Sequence, residues 1–275
     1  MSDAAASPAR QAVAGPALRG LGRFASARGI PPGLEFLLDY DVIEAFCVAG
    51  PAGRAPATRG TYRSALYRLA RPVHGEPGRR ATPFPGARPP PPYAPADRAE
   101  LAAIARAQRD PRARASALAM ICCGIGAGLR PGELVALRGS DVGLRGRQAA
   151  IHVRGRAARV IPVTAGYGPR LRALAADAGD DFLFRPGPAD RGYKNFVTSF
   201  ARGLTADPAA PALSMSRCRS SFICGHLAAG TPVGVLLAIT GIAEAGSLAR
   251  YARHVPGVSP SKGVLRERWR AERRR

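Results

Sequence analysis

Two arginines stand two residues apart in LSMSRCRSSFICGHLAAG, residues 213–230, where Arg217 and Arg219 interrupt a helix-like run of apolar and small residues. A third, Arg130, lies in GAGLRPGELVALRGSDV, residues 126–142, where a glycine-rich turn delivers it to the mouth of a short helix that opens with a proline. Glu133 follows three residues later, placed to pair with or orient a neighbour. Such arginines are either surface charge or a phosphate clamp, since a guanidinium presents a planar fork of donors to phosphate oxygens and stays charged at physiological pH. The Gly-x-Gly-x-Gly run is not a dinucleotide loop, because ASALAMICC before it reads as helix where that fingerprint needs a strand.

The charge balance favours a polyphosphate partner. There are 41 basic and 19 acidic residues, a formal net charge of +22, and only Lys194 and Lys262 are lysines, so 41 − 2 = 39 are arginines. A GC-rich genome would enrich arginine but does not explain the scarcity of acids. No metal or cofactor is expected: the chain lacks a Gly-x-x-x-x-Gly-Lys loop, and Cys47, Cys122, Cys123, Cys218 and Cys224 form no Cys-x-x-Cys pair. Those cysteines are expected to be reduced and buried. The apolar runs fall short of a membrane span and MSDAAASPARQ has no signal-peptide core, so no membrane is expected and the cytoplasm is the expected location.

The elements that must position these arginines are mostly helical. Residues 1–30 show no sustained period and read as a flexible basic arm. Residues 31–75 read as a small helical unit: Leu34, Leu37, Leu38, Val42, Ala45 and Phe46 recur at helical spacing. A second helix from Thr58 puts Tyr62, Ala65, Leu66 and Leu69 on one side and the DNA-facing candidates Arg59, Arg63 and Arg68 on the other. Proline density over 76–95 forbids helix and marks a linker. Beyond it, 96–258 alternates helices with GRQAAIHVRGRAARVIPV, whose β-branched segments predict a hairpin or small sheet, and helices are predicted at 170–178, 190–204, 216–229, 232–239 and 243–252. Residues 259–275 form a basic tail. The fold class is therefore mainly α with a small β-hairpin or sheet, an α+β protein.

Gly-Leu-Arg-x-x-Glu-Leu followed by Leu-Arg-x-x-Asp-Val resembles the first arginine box of the tyrosine recombinases, the phage-integrase family of DNA strand-exchange enzymes. The order downstream agrees: a hairpin ending in Arg159-Val160-Ile161-Pro162-Val163, a helix carrying Arg219 with Phe222, His226, Leu227 and Gly230, then Tyr251. The resemblance covers residues 95 to 255 and implies a two-domain DNA clamp, double-stranded DNA as partner and self-association as a tetramer on paired sites. It implies Tyr251 as a nucleophile that forms a 3′-phosphotyrosyl link, with Arg130 and Arg219 as phosphate clamp. Cofactors and metals are not required. Arg156, Arg159 and Arg217 join Arg59, Arg63 and Arg68 as expected DNA contacts.

Three positions depart from the family's pattern. Its hairpin-turn lysine, which protonates the leaving 5′ oxygen, falls on Arg154, an electrostatic stabiliser but a poor proton donor. Its two histidines fall on Ser216 and Ile242. His152, two residues before Arg154 on the same strand face, is the substitute with the best geometry. The expected function is thus site-specific recombination or integration through a phosphotyrosine, and the alternative is a DNA-binding relative impaired in cleavage that serves a mobile element as regulator or accessory factor. A basic RNA-binding protein is disfavoured by the lack of aromatic-rich strands.

Overall fold

The structure, a computed structural model, describes residues 8–49, 56–78, 84, 88–155, 157–185 and 195–255. The chain divides into two compact units, Met1–Arg88 and Pro89–Arg275, with the division inside the proline-rich stretch.

Among the described residues the first unit has four helices: α1 (Pro8–Ser26), α2 (Leu34–Leu37), α3 (Tyr40–Ala49) and α4 (Pro56–His74). Helix α1 corrects the sequence expectation of an aperiodic arm over 1–30. Ala17, Leu21 and Ala25 recur every four residues and are buried, packing α1 against α3 and α4. Alanines carry two of those three positions, so the stripe has little hydropathy to announce it. Gly20 lets the chains approach, because a Cβ there would stand 2.9 Å from Cζ of Phe46. Phe46 meets Phe24 edge to face at 5.6 Å, and Ile43, Cys47, Leu66 and Ala70 complete the core.

The second unit is mostly helical around a three-stranded antiparallel sheet. It comprises α5 (Pro95–Ala107), α6 (Pro111–Ile125), α7 (Pro131–Ala136), β1 (Val142–Arg145), β2 (Gln148–Val153) and β3 (Arg159–Pro162). These are followed by α8 (Gly168–Ala178), α9 (Phe196–Arg202), α10 (Met215–Ala228), α11 (Val233–Thr240) and α12 (Ala245–Ala252). Proline opens α5, α6 and α7 at the first turn, where its missing N–H costs nothing. Asp110 caps α6 by accepting the Arg112 and Ala113 N–H groups at 3.0 and 3.3 Å. The strands run in the order β1-β2-β3, with Val142 opposite Ile151 and His152 opposite Val160. Alternation along β2 buries Ile151 and Val153 and exposes His152.

Helix α6 is buried from Ser116 to Ile125 and packs against α10, which is buried over most of its length. The five cysteines are free and buried, as their spacing suggests. The helix expected over 190–204 is seen at Phe196–Arg202; 186–194 lie outside the described residues, as do 1–7 of the expected arm and the tail 259–275. No single helix among the described residues is long and apolar enough to cross a membrane.

The second unit begins with a clasp. Tyr93 is buried; its N–H donates to Ser221 Oγ at 2.8 Å, its hydroxyl donates to the Ala212 carbonyl at 2.6 Å, and that oxygen accepts the Ser214 N–H at 2.8 Å. The start of the unit is thereby tied to the helix that carries Arg219.

Candidate active site

Arg130 is the residue before α7, in extended backbone, with its N–H donated to Glu133 Oε2 at 2.8 Å. Its guanidinium reaches away from that turn: Nη2 donates to the Gly241 carbonyl at 2.6 Å. Arg219, in the interior of α10, donates through Nη1 to the Gly128 carbonyl and through Nη2 to the Thr240 carbonyl, the latter at 2.8 Å. Arg159, at the start of β3, donates Nε to the Ile239 carbonyl at 2.9 Å and grips Glu133 with two further bonds of 2.8 and 3.0 Å. Three consecutive carbonyls, 239 to 241, thus each receive a different guanidinium.

The reason lies in how α11 ends. Gly241 takes a left-handed conformation (φ 63°) and stops the helix, leaving its last carbonyls without intrahelical partners. These carry the negative end of the helix dipole. Three arginines crowd there because that pole and the Glu133 carboxylate offset their mutual repulsion.

The charges read each other. Burial alone would raise the Glu133 pKa, but the bonds from Arg159 and from the Arg130 N–H, with both positive charges, outweigh it and hold the carboxyl below its usual 4.5. Burial lowers the Arg219 pKa, helped by Arg130 and Arg159, while Tyr251 and Glu133 oppose the shift. Arg219 is only 9% exposed, whereas the Arg130 side chain is 42% exposed. Tyr251, on α12, is half-buried against the core. Arg130, Arg159 and Arg219 thus meet around Glu133 and the end of α11, with Arg130 the most exposed of them and the Tyr251 charge felt by Arg219.

The other expected residues lie elsewhere. Arg154 bonds through Nε to the buried carboxylate of Asp141 and is otherwise exposed, so its partner is outside the arginine cluster. His152 is exposed on β2 beside Gly143 and makes no bond to the cluster. Ser216 is exposed in the first turn of α10, with Oγ 3.5 Å from that of Ser214. Ile242 packs partly buried against the core and carries no proton.

Several of the arginines expected to touch DNA hold partners within the chain. Arg159 is 9% exposed and bonds to Glu133 and to backbone carbonyls. Arg217 lies over the Tyr93 ring at 4.0 Å, donates to the Pro91 carbonyl at 3.3 Å and pairs with Asp97 at 3.5 Å, as part of the clasp. Arg63 is inside its own unit, paired with Glu44 at 3.3 Å and stacked on Phe84 at 4.4 Å. Arg59 is half-buried and donates to the Val48 carbonyl at 3.2 Å, while Arg68 is exposed. Arg156 lies outside the described residues.

Sequence reasoning missed the carbonyl row at the end of α11. The Thr240-Gly241 step after LLAI was its signal, since a glycine past an apolar helix marks where carbonyls become free. Among the described residues, no cluster of three or more His, Cys, Asp or Glu side chains could hold a metal ion.

No family model and no curated protein matches this sequence. Its fold does have counterparts: the architecture is that of the tyrosine recombinases and integrases. The integrase of the Tn1549 transposon, solved in complex with transposon right end DNA, superposes with a TM-score of 0.60 at 14% identity over 97% of this chain and 95% of that one. The XerH site-specific recombinase, in a post-cleavage complex with palindromic difH substrate, gives 0.55 at 16% identity over 84% and 72%. A lambda integrase dimer bound to a COC′ core site gives 0.55 at 14% identity over 90% of each chain. The likeness is one of fold.

Proposed function

We propose that the protein is a DNA strand-transferase of the tyrosine-recombinase type, acting on double-stranded DNA of a mobile element. The observation that supports this best is the buried Arg219, held beside Arg130 and in electrostatic reach of Tyr251, on a fold shared with integrases. In this reading the Tyr251 hydroxyl attacks a backbone phosphate; a bond from phosphorus to the tyrosine oxygen forms as that to the 5′ oxygen breaks. The result is a 3′-phosphotyrosyl link and a free 5′ hydroxyl, with bond energy conserved for religation by a 5′ hydroxyl of the partner strand. The transition state gains negative charge on its non-bridging oxygens, and two preset guanidiniums stabilise it without reorganising. The 5′ oxygen must gain the proton that Tyr251 gives up, and Arg154 is a poor source of it. The unit Pro89–Arg275 carries this chemistry, and Met1–Arg88 adds phosphate contacts. Strand exchange calls for a tetramer on paired sites.

The test is covalent capture. Incubated with a nicked duplex of its element's ends, the wild-type protein is expected to give a denaturant-resistant protein–DNA adduct that Tyr251→Phe does not form. A second reading has its own support, because Ser216 is an exposed hydroxyl and Ile242 a packed hydrocarbon where the resemblance places proton carriers. On that reading the protein binds DNA as a regulator or accessory factor. Salt-sensitive duplex binding with no adduct from any element end would establish it and end the enzymatic proposal.

A further inference from the structure

We infer that Arg159 is a positioning residue that sets the geometry of the Arg130–Arg219 phosphate clamp; this rests on the reading that the clamp takes a phosphate. One side chain here ties three elements together. From the start of β3 it reaches α7 through Glu133 and the end of α11 through the Ile239 carbonyl, and its Nη1 also donates to the Ala157 carbonyl at 3.0 Å. Each element it reaches holds a clamp arginine. Glu133 accepts the Arg130 N–H and stands 3.8 Å from its Nη1, while the next two carbonyls of α11, Thr240 and Gly241, hold Arg219 and Arg130.

The fit is tight from the far side as well. A Cβ on Gly241 would meet Cζ and Nη1 of Arg159 at 3.2 Å, so the glycine leaves room for this guanidinium besides ending the helix. Only a planar fork can give Glu133 two parallel bonds while its Nε serves a carbonyl; a lysine ammonium carries the same charge but concentrates its three donors on one atom and cannot span these acceptors together. Displacing Arg159 frees Glu133 to draw the Arg130 head inward and shifts the end of α11. The placement of Arg130 relative to Arg219 would then change.

Full-length Arg159→Lys keeps the charge and removes the fork, and Gly241→Ala presses on the same contact from the other side. Inorganic sulfate is titrated while the Arg130 and Arg219 Nε–H signals are followed by NMR, assigned with Arg130→Lys and Arg219→Lys. Adduct formation on a nicked duplex and duplex affinity are measured in parallel. Groups that orient metal ligands commonly set affinity by one to two orders of magnitude, and by the same logic each variant is expected to lose about ten-fold in sulfate affinity at these two arginines. Both should melt cooperatively and bind duplex as the wild type does, and their adduct rate at saturating duplex should fall with the sulfate affinity. If Arg159→Lys does not fold, Gly241→Ala decides by the same readouts.

Wild-type sulfate affinity in a folded variant would reduce Arg159 to a core ion pair and overturn the inference. So would a wild-type protein whose Arg130 and Arg219 signals ignore sulfate. If the wild type binds sulfate there but forms no adduct with any duplex, the strand-transfer reading falls, and the sulfate arm alone settles the role of Arg159.

Discussion

At the scale of residues, what distinguishes one arginine from another in this arginine-rich chain is what it holds. Arg219 answers to two carbonyls, so Arg219→Ala should abolish adduct formation and also cost about 1–3 kcal/mol of stability, since it leaves buried acceptors unpaired. Thermal melting and covalent capture, run side by side, check both halves. Glu133 makes a pH prediction. Its folded pKa lies below the ordinary 4.5, so its contribution is complete above that value and is lost as pH falls through the folded pKa. Melting temperature should therefore decline on acidification below about pH 4.5 more steeply for the wild type than for Glu133→Gln; parallel curves would sink the idea.

At the scale of elements, the joints are backbone joints. Tyr93→Phe removes one oxygen that serves both the Ala212 carbonyl and the Ser214 N–H, and should cost about 1–3 kcal/mol in the Pro89–Arg275 unit by denaturant unfolding. Gly20→Ala should destabilise Met1–Arg88 by about 1–3 kcal/mol through overpacking on Phe46. Legibility in the sequence divided along the same line. Arg130 was readable because glycine, proline and glutamate around it are local signals of a turn and a helix start. The strands around the basic turn were readable from their β-branched residues. Helix α1 was not, because two of the three positions that bury it are alanine. Nor was the role of Arg159, because its partners lie 26 and 80 residues away and one of them is a main-chain oxygen that no side-chain pattern encodes.

At the scale of the molecule, the proposed DNA binding by a chain of +22 net charge would rest on phosphate contacts, with an affinity that falls steeply with salt. The arginines do not contribute equally. Arg68→Ala is expected to weaken duplex binding on every sequence and to lower the salt slope by about one. Arg63→Ala, which severs the Glu44 pair and the Phe84 stack, should instead lower the melting temperature of its unit and leave that slope as it was. Fluorescence anisotropy across a salt series separates the two.

The carbonyl row at Ile239, Thr240 and Gly241 has a consequence for which substitutions this centre tolerates. An arginine anchored to a side chain binds two positions into one lineage, since neither can change without the other. An arginine anchored to a main-chain oxygen makes no such demand: any residue that keeps the helix supplies the same acceptor, and only the glycine that ends it is restricted. Substitutions can accumulate around this centre for as long as α11 keeps its length and its terminus. The fold shared with the Tn1549 integrase at 14% identity is compatible with so undemanding an anchor. What this point in the fold requires is a helix end.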